Sequence, residues 1–251
     1  MSCVDIRGCR IGEGRPKVIL PIVERAEAAI LEKAAQFSTL QADCVEWRVD
    51  YFEGARAPGA VARCLAKMRV ILRDKLLLVT FRTKAESGEQ ALSHPEYLAF
   101  LRLILDTDCA DLLDIEFFTA GAELSALVEQ AHSAGVAVVC SSHDFAKTPP
   151  RAELVSRMVQ MQQAGADLPK LAVMPQCRTD ILELLAATAE MADLHSETPV
   201  ITMSMGALGA VSRLAGEAFG SAMTFANPGQ ASAPGQVSLN IVNEALDALH
   251  L

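Results

Sequence analysis

A lysine inside an apolar run is the most conspicuous place for chemistry. In Leu168-Pro169-Lys170-Leu171-Ala172-Val173 the neighbours of Lys170 are all apolar, and an amine held in mid-strand has no route along its own stem to bulk water. A desolvated amine with cations such as Arg48, Arg82 or Arg213 around it is the kind that attacks a carbonyl carbon to form an imine. The structural alternative is an ion pair, with Glu116 as the inward carboxylate. His143, in Cys140-Ser141-Ser142-His143-Asp144-Phe145, supplies a group whose ordinary pKa of about 6.5 lets it take and return protons. A lone buried histidine is more often a satisfied core residue, but here Glu86 is available to orient or polarise it. His94, His132, His195 and His250 read as helix or surface residues.

Such side chains need a frame that brings them together. Short apolar, β-branched runs recur at 17–23, 44–50, 76–82, 111–117, 136–143, 167–174, 199–205 and 221–227, their starts 22 to 35 residues apart. That spacing holds one strand, one helix and two short loops, and leaves no room for an inserted domain. Amphipathic stretches at 24–40, 58–74, 95–105, 122–134, 150–164 and 179–194 fill the gaps, with a short helix near 208–216. Eight strand–helix repeats predict a (β/α)8 TIM barrel of α/β class, one domain over 1–251. The segment 3–15 alternates polar and apolar residues around Gly8, Gly12 and Gly14, which predicts a β-hairpin closing the barrel floor.

Strand parity then sorts the charges. Residues two apart face one side of a strand, so Glu46 and Arg48 face inward against Val45, Trp47 and Val49. Arg82, Asp114, Glu116, Ser141, His143 and Lys170 follow the same parity. Enclosed charges need partners or a function, and for Asp114 and Glu116 both readings stand. Glu46, Arg48, Arg82 and His143 fall at strand C-terminal ends, where barrel active sites lie. The turn Gly206-Ala207-Leu208-Gly209 with Ser212-Arg213 offers backbone N–H groups and an arginine to an anion. The segment 227–236 is expected to be a mobile loop that closes over a ligand, with Ser232 and Gln236 as polar contacts. Phe145, Met203, Met205 and Phe225 are the expected apolar walls.

Composition excludes other classes. With 51% hydrophobic residues the chain can bury a large core, and with a net charge of −9 and no basic run it is a poor partner for nucleic acid. No apolar stretch approaches the length of a membrane span, and residues 1–17 lack the apolar centre of a leader, so a cytoplasmic protein is expected. Seven cysteines without a C-x-x-C pair fit a reducing compartment and predict no metal site.

Taken together, Glu46-Trp47-Arg48-Val49-Asp50, the stretch Phe81 to Glu89, Ser142-His143-Asp144-Phe145, Pro169 to Val173, Ser204-Met205-Gly206, Ser212-Arg213 and Ser232-Ala233-Pro234-Gly235-Gln236 resemble type I 3-dehydroquinate dehydratases. The resemblance implies a cofactor-free hydro-lyase of aromatic amino acid biosynthesis, a homodimer that converts 3-dehydroquinate to 3-dehydroshikimate. On the matching positions, Lys170 would form the Schiff base, His143 would move the protons and Glu86 would assist it. Glu46, Arg48 and Arg82 would hold ring hydroxyls, and Arg213, Ser232 and Gln236 the carboxylate side. The chain departs from that pattern at Pro21, where some relatives have serine, and at Ser87, where glycine is common. A Schiff-base aldolase acting on a sugar phosphate, or a non-catalytic metabolite sensor, are the competing readings.

Overall fold

The computed structural model describes residues 2–229 and 233–251. Eight parallel strands follow one another around a barrel: β3 (Lys17–Ile22), β4 (Cys44–Arg48), β5 (Leu76–Thr80), β6 (Leu112–Glu116), β7 (Ala137–Asp144), β8 (Leu168–Val173), β9 (Ile201–Ser204) and β10 (Met223–Asn227), preceded by the antiparallel hairpin β1 (Val4–Ile6) and β2 (Cys9–Ile11). The strands coincide with the eight apolar runs. Closure is made by β10, which pairs with β3 on one side and meets the start of β9 on the other, where Val200 bridges Ser221 and the Ala222 N–H donates to the Val200 carbonyl at 2.8 Å. Above that point a short further strand, β11 (Val237–Ser238), pairs with the end of β10. The sequence analysis had no ninth strand; β11 is the return of the segment after β10.

Parity along each strand separates two apolar layers. Val45, Trp47, Leu77, Val79, Leu113, Ile115, Val138 and Leu171 pack outward against the helices. Cys44, Leu76, Leu78, Leu112, Val139, Leu168 and Ile201 point inward and fill the lower barrel. Ile6 and Ile11 of the hairpin join this inner layer, so the hairpin closes the floor. Each such side chain withdrawn from water contributes about 1.5–3 kcal/mol, which is why a three-residue strand pair holds its place.

Around the barrel lie α1 (Glu27–Ser38), α2 (Ala60–Ile71), α3 (His94–Leu105), the single turn α4 (Phe117–Ala120), α5 (Leu124–Ser133), α6 (Arg151–Gln163) and α7 (Arg178–Leu194). At the start of α3, Ser93 and Glu96 satisfy each other's backbone in a capping box with Pro95 in the first turn. The expected short helix at 208–216 is instead three single turns, α8 (Gly206–Gly209), α9 (Val211–Leu214) and α10 (Gly216–Phe219). Gly209 explains the break: a Cβ there would lie 2.4 Å from the Ser204 backbone, so the turn is pressed onto β9 too closely to continue as one helix. A final helix, α11 (Leu239–Ala248), follows β10 and completes the eighth strand–helix repeat, for which no bounds were expected.

Candidate active site

At the C-terminal ends of the strands a cavity of about 210 Å³ opens among Glu46, Arg48, Tyr51, Arg82, Ser87, His143, Phe145, Lys170, Ala172, Met203, Met205, Arg213, Phe225, Ala233, Pro234 and Gln236. Apart from Glu86 and Ser232, every residue expected at a site lines it. Ser232 lies outside the described residues. Glu86 is not among the lining residues and stands behind His143.

Inward parity delivers a layer of charges above the apolar floor. Lys170, in the middle of β8, is 3% exposed and its Nζ lies 3.1 Å from Asp114 Oδ2. The alternative ion-pair reading had named Glu116, and the reason for the difference is height in the barrel. Asp114 sits one inward step lower on β6, while Glu116 accepts from the Thr83 N–H at 2.8 Å and from the hydroxyls of Thr83 and Thr119 at 2.7 and 2.6 Å. Lys170 therefore has a carboxylate against it, from Asp114 and not from Glu116. On its other side, its Nζ lies 4.9 Å from the centre of the Phe225 ring.

Arg82 organises the same layer. Its Nη2 donates to both oxygens of Asp114 at 2.9 Å, and its Nη1 to Glu116 at 2.9 Å, Ser141 at 3.0 Å and Glu86 at 3.2 Å. Burial by itself would lower the guanidinium's pKa, but Asp114, Glu86 and Glu116 outweigh it and drive the value upward. Asp114 and Glu116 thus belong to an ion-pair network, and through Asp114 that network reaches Lys170.

His143 Nδ1 lies 2.7 Å from Glu86 Oε2, which also receives the His143 backbone N–H at 3.2 Å and Arg82 Nη1 at 3.2 Å. Two of these three partners are obligate donors, which assigns the Nδ1 proton to the histidine and leaves Nε2 as the basic nitrogen. Burial, then the positive charges of Arg82, Lys170 and Arg48, hold His143 well below the usual histidine range, so the ring is neutral at physiological pH. Burial pushes the Glu86 carboxyl up to about 8, with Arg82 opposing and Glu116 and Asp114 adding to the rise.

The opposite wall is different. Arg213, from α9, is 1% exposed, and its contacts are the Met203 sulfur at 3.6 Å and the Pro234 carbonyl at 3.3 Å. Its Nε has no hydrogen-bond partner, and no carboxylate among the described residues pairs with it. Burial with nothing to offset it lowers its pKa to about 10, which leaves the group cationic at neutral pH. One N–H group of the expected backbone cradle after β9 is taken, since the Gly206 N–H donates to the Pro234 carbonyl at 3.1 Å. Gly235 makes this approach feasible: its φ is +75°, and a Cβ would meet the Gly206 carbonyl oxygen at 2.2 Å.

Glu46 accepts from the Thr80 hydroxyl at 2.8 Å. Arg48 is held side-on by Asp50, with Nε and Nη2 each 2.8 Å from its carboxylate. Asp50, Tyr51 and the pairing of Asp114 with Lys170 escaped the sequence analysis. The signal for Asp50 was its place two residues after an inward arginine, masked because the chain leaves the strand at Arg48 and turns through Val49–Tyr51. Pro21 is buried beside Glu46 in the β3–β4 register and does not line the cavity, whereas Ser87 lines it in a left-handed backbone with φ 63°.

Among the described residues no group of three or more His, Cys, Asp or Glu side chains is arranged to hold a metal ion, and no helix is long and apolar enough to cross a membrane. Fold and cavity together are those of a (β/α)8-barrel enzyme whose charged groups converge at the C-terminal mouth. The family model described as type I 3-dehydroquinase matches residues 18–251. The chain is 47% identical to the 3-dehydroquinate dehydratase of Bacillus licheniformis over 98% of its own length and 97% of the relative's, and 46% identical to that of Bacillus subtilis over 100% and 98%. A crystal structure of the type I 3-dehydroquinate dehydratase of Clostridium difficile, with covalently modified comenic acid, superposes with a TM-score of 0.95 at 42% identity and covers 99% of this chain and 98% of its own. The chain belongs to the type I 3-dehydroquinase family and is an enzyme of that dehydratase class.

Proposed function

We propose that the cavity dehydrates 3-dehydroquinate to 3-dehydroshikimate through an imine between Lys170 and the substrate's C3 ketone, with His143 carrying the protons. The observation that carries this reading is Arg213. A buried guanidinium without a carboxylate partner is costly, and a carboxylate-bearing ligand in the same cavity as Lys170 relieves that cost. The family match over residues 18–251 and the dehydratase relatives that span nearly the whole chain favour the dehydratase over an aldolase.

In this scheme Lys170 Nζ attacks the ketone carbon while His143 Nε2 takes up the protons that leave Nζ and passes them to the carbonyl oxygen, which departs as water. The resulting iminium keeps the positive charge next to Asp114 and draws electrons from the adjacent carbon, so that His143 Nε2 can remove the C2 proton. The enamine then expels the hydroxyl of the neighbouring carbon, His143 returns its proton to form the departing water, and hydrolysis of the imine frees Lys170. Glu86 fixes the histidine ring. Arg213 and Gln236 hold the carboxylate side, with Ser232 assigned there by resemblance alone, and Glu46 and Arg48 hold ring hydroxyls. Arg82 lines the cavity as well, but its terminal nitrogens are spent on carboxylates and Ser141, so its main work is to order the layer. The scheme calls on no metal or redox cofactor, and the family resemblance adds a cytoplasmic homodimer. The covalently modified acid in the Clostridium difficile relative supports covalent chemistry in this fold.

Borohydride reduction in the presence of 3-dehydroquinate, followed by peptide mass mapping, tests the proposal. The adduct is expected on Lys170, and Lys170→Ala should lose turnover and trapping together. An adduct on Lys84 or Lys147 would overturn it.

A further inference from the structure

The carboxylate of Asp50 lies outside the cavity, is fully buried, and receives four N–H groups from two separate segments. Its Oδ1 accepts from Arg48 Nε at 2.8 Å and from the Arg82 backbone at 3.3 Å, and its Oδ2 accepts from Arg48 Nη2 at 2.8 Å and from the Glu89 backbone at 3.1 Å. Four N–H groups fill the acceptor capacity of a carboxylate. Arg82 and Glu89 bracket the segment that carries Glu86 and Ser87, and this segment is wound so closely that a Cβ on Gly88 would lie 1.9 Å from the Arg82 carbonyl oxygen. The Asp50 carbonyl accepts in addition from Gln90 Nε2 at 2.7 Å.

On the Arg48 side, the two N–H groups of one edge are used and the Tyr51 ring lies 5.0 Å from the guanidinium carbon. An edge and a face are thus fixed, which leaves the remaining N–H groups of a cavity-lining arginine as the ones a ligand meets. A planar guanidinium is selective for direction only when something holds its plane.

We propose that Asp50 is a positioning residue of this site, which aims Arg48 at the bound substrate and is itself held in place by the backbone N–H groups of Arg82 and Glu89. This rests on the reading of the cavity as the dehydratase site. Asp50→Asn is the sharp test because it keeps the shape and places an amide NH₂ against N–H donors in either orientation. Loss of a charge-assisted pair of this kind predicts a rise of about tenfold or more in KM for 3-dehydroquinate with kcat changed much less. In an Arg48→Ala background, Asp50→Asn should change kcat/KM by no more than about twofold, since the group it acts through is gone. Losses that multiply in the double variant, or an unchanged KM in the single one, would overturn the proposal and leave Asp50 a structural residue. Should Asp50→Asn not fold, Arg48→Lys carries the test: it leaves Asp50 on the backbone N–H groups of Arg82 and Glu89 but has no fork to be held side-on. A comparable KM rise in that variant supports the proposal and an unchanged KM overturns it. A wild-type protein that neither dehydrates 3-dehydroquinate nor traps it with borohydride would instead sink the reading of the cavity itself.

Discussion

Two buried arginines face each other across the cavity in opposite electrostatic circumstances. Arg82, 4% exposed, is surrounded by Asp114, Glu86 and Glu116, and these carboxylates carry its pKa upward against the effect of burial. Arg213, 1% exposed, sits among Met203, Met205 and Phe225 with burial alone acting on it, and its pKa falls to about 10. The β5–β8 wall is therefore complete before any ligand arrives. Its lysine, histidine and arginine are oriented by partners within the protein, as proton chemistry requires. The β9–β10 wall becomes electrostatically complete only with an anion in place. In the proposed reaction one wall performs the chemistry and the other recognises the molecule it is performed on.

The largest effect expected from breaking this division is at the proton carrier. His143→Ala should lower kcat by about 10²–10⁴ while a borohydride-trapped adduct still accumulates on Lys170. Near-normal turnover in steady-state assays would remove proton transfer from the β5–β8 wall.

Next come the arginines themselves, replaced by the same apolar residue. Arg82→Met strands buried carboxylates and should cost about 3–5 kcal/mol of stability in denaturant unfolding. Arg213→Met removes an unpaired buried charge, so stability should hold or rise, while kcat/KM falls by at least roughly thirtyfold, about 2 kcal/mol of transition-state binding. Equal stability losses in the two variants would erase the contrast between the walls.

The smallest effects are in pH dependence. Because burial and the cations Arg82, Lys170 and Arg48 hold His143 well below 6.5, the acidic limb of kcat/KM should lie below pH 6.5. A limb at or above that value would mean the ring is not held neutral. Glu86 works in the other direction on stability. Its unfolded carboxyl releases a proton near the ordinary value of 4.5, but the native one at about 8. Between those values the native state binds more protons, so this group's contribution is full below about 4.5 and is lost as pH rises through about 8. Glu86→Gln should flatten that part of the stability profile, and an unchanged slope would place the titration elsewhere.

Much of the site was legible because a barrel strand is a simple code. Lys170, His143, Glu46 and Arg48 were assigned inward from a period of two, and the four apolar wall residues Phe145, Met203, Met205 and Phe225 all line the cavity. Partner choice was not legible. Parity places both Asp114 and Glu116 inward, but which of them reaches Lys170 depends on the stagger of β6, β7 and β8, where Ser141 stands beside Glu116 on one side and Lys170 on the other. The turns after β9 were read as an anion cradle from their glycines, yet the same glycines serve close packing: Gly209 presses on Ser204, and Gly235 on Gly206. Asp50 was missed because it acts after the strand has ended.

What the sequence determined by itself was therefore whatever follows from local periodicity and composition: eight strands, a hairpin at the floor, and the set of charges that must point inward. These depend on the burial of apolar side chains at fixed spacing, which any stretch of chain carries within itself. Only the tertiary structure decided that Lys170 pairs with Asp114, that Glu86 stands behind His143, and that Arg213 is left without a carboxylate. Those outcomes turn on distances of a few ångströms between residues far apart in the chain, and the strength of a charge–charge interaction in a buried site changes steeply over that range.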